Sequence, residues 1–357
     1  PSVMASNPKG VSTTRDMFTT GVTYSVPLFT GFAMTRDVEM SELSAQISQS
    51  RLNLTKEQVI YNIKSLYMSV LSLYEMKDAQ QHYINALQKL SNTTKKAIEL
   101  GKKAPIDLLK IQRDLFQAKA TKDMLKSNIE VAIASLESLS SMKHISRLQK
   151  VKIAIFRYRY TISQLLRKAA KLNKIKIADF NLKKASKMVE KAKAKYYPQV
   201  ALDSYYGYSY GENDPTNPKS GEWDDEKNWQ IAINAKYKIY DFGKQDAQIQ
   251  QAKIANLQAK LDKNQTLLDL KKSIIEAKSK IDLAYAQYQA SAKQYKLAKK
   301  SSNIEAVKYK NNASSIDDLL YAKAQMMIAR AALLQSKYDY AKSKYYMDYI
   351  LENGVKK

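Results

Sequence analysis

Two histidines, His82 and His144, are the only imidazoles among 357 residues, and no cysteine accompanies them. Neither stands in a His-x-x-x-His or Glu-x-x-His spacing, so a metal ion would find no set of ligands. The glycines form no phosphate-binding loop, and no Gly-x-Ser-x-Gly elbow exposes a nucleophile. The chain therefore reads as a non-enzyme without metal or cofactor. What is left for chemistry is fixed charge and aromatic surface. Asp107, Asp317 and Asp318 each follow a break between long apolar-periodic segments. A carboxylate there either stabilises a helix N-terminus, worth about 0.3–1 kcal/mol, or acts as fixed charge toward nearby ions.

The formal charge is +25, which invites a nucleic-acid reading. Only nine of the 59 basic residues are arginine, however, and the lysines are spread along the chain instead of forming one stripe. No nucleic-acid partner is expected on that pattern. Glycine (9) and proline (7) are scarce beside Ala, Lys, Leu, Ser and Gln, a composition of long helices and coiled coils. Without cysteine there is no disulfide framework. No run of 18 or more apolar residues predicts a transmembrane helix, and no signal-peptide pattern opens the chain.

The elements that must position these groups come in two copies at a constant offset of 211 residues. Phe18-Thr20-Val22-Tyr24-Val26-Leu28 sits over Trp229-Ile231-Ile233-Ala235-Tyr237-Ile239, Lys89-Leu90-Ser91-Asn92 over Lys300-Ser301-Ser302-Asn303, and Asp107-Leu108-Leu109 over Asp318-Leu319-Leu320. A period this long is a duplicated half-molecule, not a solenoid repeat. Pro1-Ser2-Val3-Met4-Ala5 reads like Pro198-Gln199-Val200-Ala201-Leu202. Only the second copy has helical residues ahead of its proline, so the chain is expected to begin mid-structure.

Residues 11–28 alternate as a strand, and 36–100 form one helical pattern without glycine or proline. Val59, Ile63, Leu66, Val70 and Leu73 make a heptad seam, matched by Leu270, Ile274, Ala277, Ile281 and Ala284. At about 1.5 Å per residue such a helix is roughly 100 Å long. It breaks at Gly101-Lys102-Lys103-Ala104-Pro105, with Gly101 suited to a left-handed cap and Pro105 to a first helical turn. The matching break is Asn311-Asn312-Ala313-Ser314-Ser315, with Asn312 in the left-handed position and Ser314 or Ser315 as cap. Each break predicts the tip of an antiparallel helical hairpin whose return helix runs to about Met142 or Leu351. Residues 143–195 read as a basic, mostly helical connector. A tyrosine-rich strand over 200–210, an acidic turn-laden loop over 211–227 and a strand over 229–240 then form a hairpin with one apolar face, a feature of outer-membrane barrels. The predicted division is 1–32 (first hairpin), 33–142 (first coiled-coil hairpin), 143–195 (connector), 196–243 (second β-hairpin) and 244–357 (second coiled-coil hairpin and C-terminal end).

Four stretches make the chain resemble the TolC-like outer membrane efflux protein family. They are Val26-Pro27-Leu28-Phe29-Thr30-Gly31-Phe32 with its partner Tyr237-Lys238-Ile239-Tyr240-Asp241-Phe242-Gly243, the run 192–200 around Tyr196-Tyr197-Pro198, the two tip hairpins, and the connector around Ser163-Gln164-Leu165-Leu166 leading to Leu172-Asn173. The fold class implied is mainly α with β: duplicated strand–long helical hairpin–strand units in a trimeric β-barrel on an α-helical tunnel. The implied role is a passive exit duct of a tripartite efflux pump or type I secretion system. It would sit in the outer membrane of a Gram-negative bacterium, extend into the periplasm, and be gated at its helical tips. Implied partners are two further copies, a periplasmic adaptor, an inner-membrane transporter and outer-membrane lipid. The rival reading is a soluble coiled-coil scaffold that binds anionic partners through its lysines.

The resemblance also assigns roles. Asp107, Asp317, Asp318 and Tyr309 belong to the gate and its selectivity, and Gly101, Lys102, Lys103, Pro105, Asn311, Asn312 and Ser314 to the tip turns and adaptor contact. In the family a tyrosine and an arginine latch onto an aspartate; here these positions are Tyr309, Ser314 and Asp107, so the arginine is missing. Lys310, Lys102 or Lys103 is the available cation, though without a bidentate fork. Tyr205, Tyr206, Tyr208 and Tyr210, with Trp229 and Tyr237 at the strand ends, are expected in a membrane-interface girdle. The family's Asn-Pro in the connector is Asn173-Lys174 here. The first hairpin is expected to be shorter than the second.

Overall fold

The computed structural model describes residues 17–145, 148–167, 171–211 and 224–354. Element order is β1 (Met17–Phe29), α1 (Ala33–Glu99), α2 (Pro105–Ser140), α3 (Ile162–Arg167), α4 (Asn173–Lys193), β2 (Gln199–Gly211), β3 (Asp224–Lys236), α5 (Lys244–Lys310) and α6 (Ile316–Ile350). Both α1 and α5 have 67 residues, and adding 211 to the bounds of α1 gives those of α5. The backbone repeats as closely as the helices do. The positive-φ residues described pair as Gly31 with Phe242, Phe32 with Gly243, Gly101 with Asn312, and Ser141 with Glu352, each pair 211 apart. In none of the four pairs is the residue type kept. The turn geometry is therefore the shared property, and sequence identity follows it loosely.

The contacts divide the chain into two compact units, residues 1–47 with 179–262 and residues 48–178 with 263–357. The first unit holds an antiparallel sheet in the order β1-β2-β3. Val22 pairs with Tyr206 and Tyr206 with Trp229; Tyr24 pairs with Ser204 and Ser204 with Ile231; Val26 pairs with Leu202 and Leu202 with Ile233. Directly opposed residues share a face, so one face is apolar and bare: Val22 is 74% exposed, Trp229 71% and Ile233 69%. The other face carries Gly21, Thr23, Ser25, Asp203, Tyr205, Gly207, Gln230 and Asn234. There Ser25 and Asn234, from the two outer strands, both donate to Asp203. Beneath the strands, Arg36 and Glu39 of α1 interlock with Lys187 and Glu190 of α4 in a four-member ion cluster.

In the second unit Leu270, Ile274, Ala277 and Ile281 of α5 pack with Tyr340 and Met347 of α6. Met68 and Leu71 of α1 pack with Tyr338 and Ala341 of α6. The predicted α5 seam is thus core. The predicted α1 seam is core only at Val70, while Val59 is exposed. The connector is helical only over α3 and α4, and 148–161 forms no regular element. Its run Val151-Lys152-Ile153-Ala154-Ile155 alternates with period two, which suits an extended chain laid on a core and not a helix. Ile153 and Ile155 cover the α5–α6 cluster, and the buried Tyr340 hydroxyl donates to the Phe156 carbonyl at 2.6 Å.

Two further boundaries differ from expectation. β3 begins at Asp224 and ends at Lys236, because Lys236 already faces Gln199, the first residue of β2, and no partner remains beyond it. Residues 212–223, read as a loop, and the strand start at 11–16 lie outside the described residues, as does the short first hairpin. At the connector, Glu352 accepts from the Asn173 N–H (2.7 Å), the Asn173 side-chain amide (2.7 Å) and the Lys174 N–H (3.1 Å). The last of these donors would not exist with proline at 174.

Candidate functional site

Both hairpin turns in the second unit close by the same hydrogen-bond pattern. The Gly101 N–H donates to the Ile98 carbonyl at 2.9 Å and the Lys102 N–H to the Ala97 carbonyl at 2.8 Å. In the other turn the Asn312 N–H donates to Tyr309 (3.2 Å) and the Ala313 N–H to Lys308 (2.9 Å). Gly101 has φ +68° and Asn312 φ 58°, the left-handed caps that let a helix stop without orphaned carbonyls.

The two return helices start differently. α2 begins at Pro105 after the extended Ala104, with no side-chain cap. α6 begins with a capping box: the Asp318 N–H donates to the Ser315 hydroxyl at 3.1 Å, and the Ser315 N–H to the Asp318 carboxylate at 3.3 Å. Ser315 is therefore the cap. Ser314, in the family's arginine position, donates to Glu305 at 2.7 Å and lies 3.5 Å from the Asp318 carboxylate. The Ser315 hydroxyl, donating at 2.6 Å, holds the Asp318 carboxyl below the ordinary aspartate value.

Side chains join the two turns. The Tyr309 hydroxyl donates to Asp107 at 3.1 Å, and Lys103 donates to the Tyr309 carbonyl at 3.1 Å while its ammonium stands 3.8 Å from the ring centre. Tyr309 is 6% exposed and packs with Ile84, Leu87, Ile111, Leu115, Ile316 and Leu319. Burial, reinforced by Asp107, pushes its hydroxyl up to about 12, so it remains a donor throughout the physiological range. Lys110, one turn beyond Asp107 on α2, pairs with Asp317 of α6 at 2.6 Å. All three acidic residues singled out from the sequence are thus engaged, each differently: Asp107 as acceptor from Tyr309, Asp317 in an ion pair, Asp318 in a cap. Lys102, Pro105 and Asn311 are exposed around the turns.

Lys110 was not among the sequence candidates. The available signal was its spacing of three from Asp107, which puts both on one face of α2. Among the available cations it is Lys103, from the first turn, that meets the tyrosine. His82 and His144 take no part. Among the described residues no group of three or more His, Cys, Asp and Glu could hold a metal ion, and no helix is long and apolar enough to cross a membrane.

In the first unit, Tyr208 and Trp229 lie on the apolar face of the sheet together with Tyr206 and Tyr24. Tyr205 does not: alternation puts it on the polar face, so it departs from the expected girdle. Tyr210 lies in β2 opposite Phe18 and Asp225, and Tyr237 follows β3 and is exposed. A second aromatic group sits where strand meets helix. Phe32 packs edge-on against Phe29 and Tyr197, and Tyr240 against Phe242, with Tyr240 and Phe242 largely exposed. Their signal in the sequence was the paired junction motif, read there for its turn and not for its rings.

A family model of outer membrane efflux proteins matches residues 4–141 and 162–345, which together take in both long hairpins and the sheet. The chain belongs to the outer membrane efflux protein family. Solved structures of similar fold include the outer membrane channel CmeC of Campylobacter jejuni, at 19% identity and a TM-score of 0.75, covering 95% of this chain and 71% of that one. The open state of the MtrE channel of Neisseria gonorrhoeae aligns at 18% identity and a TM-score of 0.75 over 97% of this chain and 80% of that one. The outer membrane protein VceC of Vibrio cholerae aligns at 13% identity and a TM-score of 0.72, covering 95% and 87%. A comparison with curated protein sequences finds no match. As a member of the family, the chain is an outer-membrane efflux component of the α-helical tunnel and β-barrel fold.

Proposed function

We propose that this efflux protein is one protomer of a homotrimeric exit duct, closed at its helical tips and passive in itself. An inner-membrane transporter drives cargo through it, and a periplasmic adaptor docks at the tips. The observation that carries the reading is a second, uncovered heptad seam. On α5, Ile254, Leu261, Leu268 and Ile275 recur every seven residues and are all exposed, as are Val38, Leu52 and Val59 on α1. A seam of that period is the surface a neighbouring helix covers. The apolar sheet face adds to it. The three strands among the described residues cannot close on themselves, and an open edge is not tolerated in lipid, so copies must complete the barrel. The scaffold reading has no use for an apolar face of Val22, Tyr24, Trp229, Ile231 and Ile233 turned to solvent.

Native mass spectrometry in detergent tests the proposal: a trimer is expected, and a stable monomer or dimer would defeat it. Asp107, Asp317 and Asp318 converge in this reading on the periplasmic mouth, where three copies make an acidic ring. Changing all three to asparagine should then lower cation preference in planar-bilayer recordings. An unchanged reversal potential under a salt gradient would leave them as helix-end and tip-holding groups alone.

A further inference from the structure

The pairing of β1 with β2 has no turn to set it. Ser25 and Asp203 are bonded across 178 residues of chain, whereas in a hairpin the loop length fixes the register. The polarity pattern does not fix it either. A slip of two residues keeps every side chain on its own face, and one direction of slip merely replaces Ser25 by Thr23 opposite Asp203, leaving a hydroxyl on that carboxylate. Something else must distinguish the observed register.

Tyr205 supplies the distinction. On the polar face, Gly21 of β1 pairs directly with Gly207 of β2, and the Tyr205 ring lies over both. A Cβ added at Gly21 would meet the ring at 2.6 Å, and one at Gly207 would meet the Tyr205 hydroxyl and the Thr20 carbonyl closer still. Two opposed glycines would otherwise be the weakest rung of the ladder, and an aromatic ring laid across them restores the lost contact. If β1 slips by two in either direction, Thr19 or Thr23 takes the place of Gly21 beneath the ring, and each carries a branched Cβ. Only the observed register leaves the seat empty. The Tyr205 hydroxyl is buried and has no hydrogen-bond partner among the described residues. Its position is therefore set by the ring's fit and not by a bond from its oxygen.

We propose that Tyr205 and Gly21 form a register key, which selects the pairing of the first-half strand with the second-half strand when the sheet assembles. Tyr205 is a positioning residue in this role. The key rests on the barrel reading only for its setting, since it acts between strands of one chain whatever the number of copies.

The chain has no cysteine, so an engineered pair reports without background. Directly opposed residues of an antiparallel pair lie about 4.5–5.5 Å apart at Cα, within disulfide reach. Val22→Cys combined with Tyr206→Cys reads the observed register, and Val22→Cys with Ser204→Cys or Tyr208→Cys reads the two slips. In the membrane-extracted full chain, mild oxidation should cross-link the first pair and leave the other two largely free. Adding Tyr205→Ala should lower the first yield several-fold and raise one of the slip yields, and Gly21→Ala should do the same. Tyr205→Phe, which keeps the ring and drops the unpartnered hydroxyl, should match the parent. The proposal is overturned by an unchanged first yield with Tyr205→Ala or by Tyr205→Phe behaving like alanine. Loss of all three cross-links together would also overturn it, because the ring would then support the sheet in general and not its register.

Discussion

The Tyr309 hydroxyl donates to the Asp107 carboxylate at 3.1 Å, joining the end of one long helix to the start of the other hairpin's return helix. Both groups are at least half-buried, and Lys103 closes the arrangement from the tyrosine's far side. A hydrogen bond to a charged acceptor is worth about 1.5–3 kcal/mol when buried, and somewhat less here beside solvent.

On the proposed closure, Tyr309→Phe should loosen the tip while leaving the core intact, since the ring still fills its pocket. We expect a closed-to-open ratio lowered roughly tenfold, the equivalent of about 1.4 kcal/mol, seen as larger or more frequent openings in planar bilayers. An unaltered conductance would mean the bond does not hold the tip. Lys103→Met, which keeps the stem and removes the charge over the ring, should act in the same direction but more weakly.

The Lys110–Asp317 pair is more exposed, with the Asp317 side chain at 61%, so about 0.2–1 kcal/mol is its expected share. Lys110→Glu should open the tip slightly, and Lys110→Glu with Asp317→Lys should restore it. Raising ionic strength should weaken this contribution and leave that of Tyr309 nearly unchanged. Failure of the double exchange to restore closure would show that the pair is not coupled across the tip.

The capping box sets a pH dependence. Because the folded carboxyl of Asp318 lies below its unfolded value, its contribution is complete above the unfolded value near 3.9 and is lost as pH falls through the folded one. Hydrogen exchange in the first turn of α6, corrected for intrinsic rates, should thus be flat from pH 7 to 5 and rise below about pH 4. Ser315→Ala should give the acid behaviour at neutral pH, at a cost of about 1 kcal/mol. Equal protection in Ser315→Ala and the parent would remove the cap from the account.

Gly101→Val should cost on the order of 1–2 kcal/mol through backbone strain alone, because a Cβ there meets nothing within 4 Å. Gly101→Asn should be nearly neutral, since Asn312 already occupies the equivalent turn, and Asn312→Gly should be harmless. Thermal unfolding checks the stability, and pull-down of a tip-binding adaptor checks the geometry. A valine variant as stable as the parent would contradict the strain argument.

The 211-residue repeat made the long helices, both turns and the left-handed caps legible, because each copy vouched for the other at Gly101 and Asn312. The connector is less legible, because only one copy of it exists. Its lysines resemble the helical background, and the period-two run Val151–Ile155 is short. The tip was half legible: Tyr309 and Asp107 followed from the family's pattern, whereas the Lys110–Asp317 pair joins different helices that no local spacing relates. Tyr205 was placed with the other tyrosines by composition. Counting by twos along β2 from Tyr206 separates it, a step that needs the register of the neighbouring strands to carry weight.

The distance in sequence between β1 and β2 also has a consequence in time. During synthesis β1 emerges long before its partner exists, carrying Val22 and Tyr24 on a face that water does not favour. For that interval the strand has neither lipid nor ladder, and an apolar strand with unpaired edges is a template for aggregation. The first strand therefore stays apolar and unpaired until the second half has followed, an interval that a strand in a local hairpin would not face.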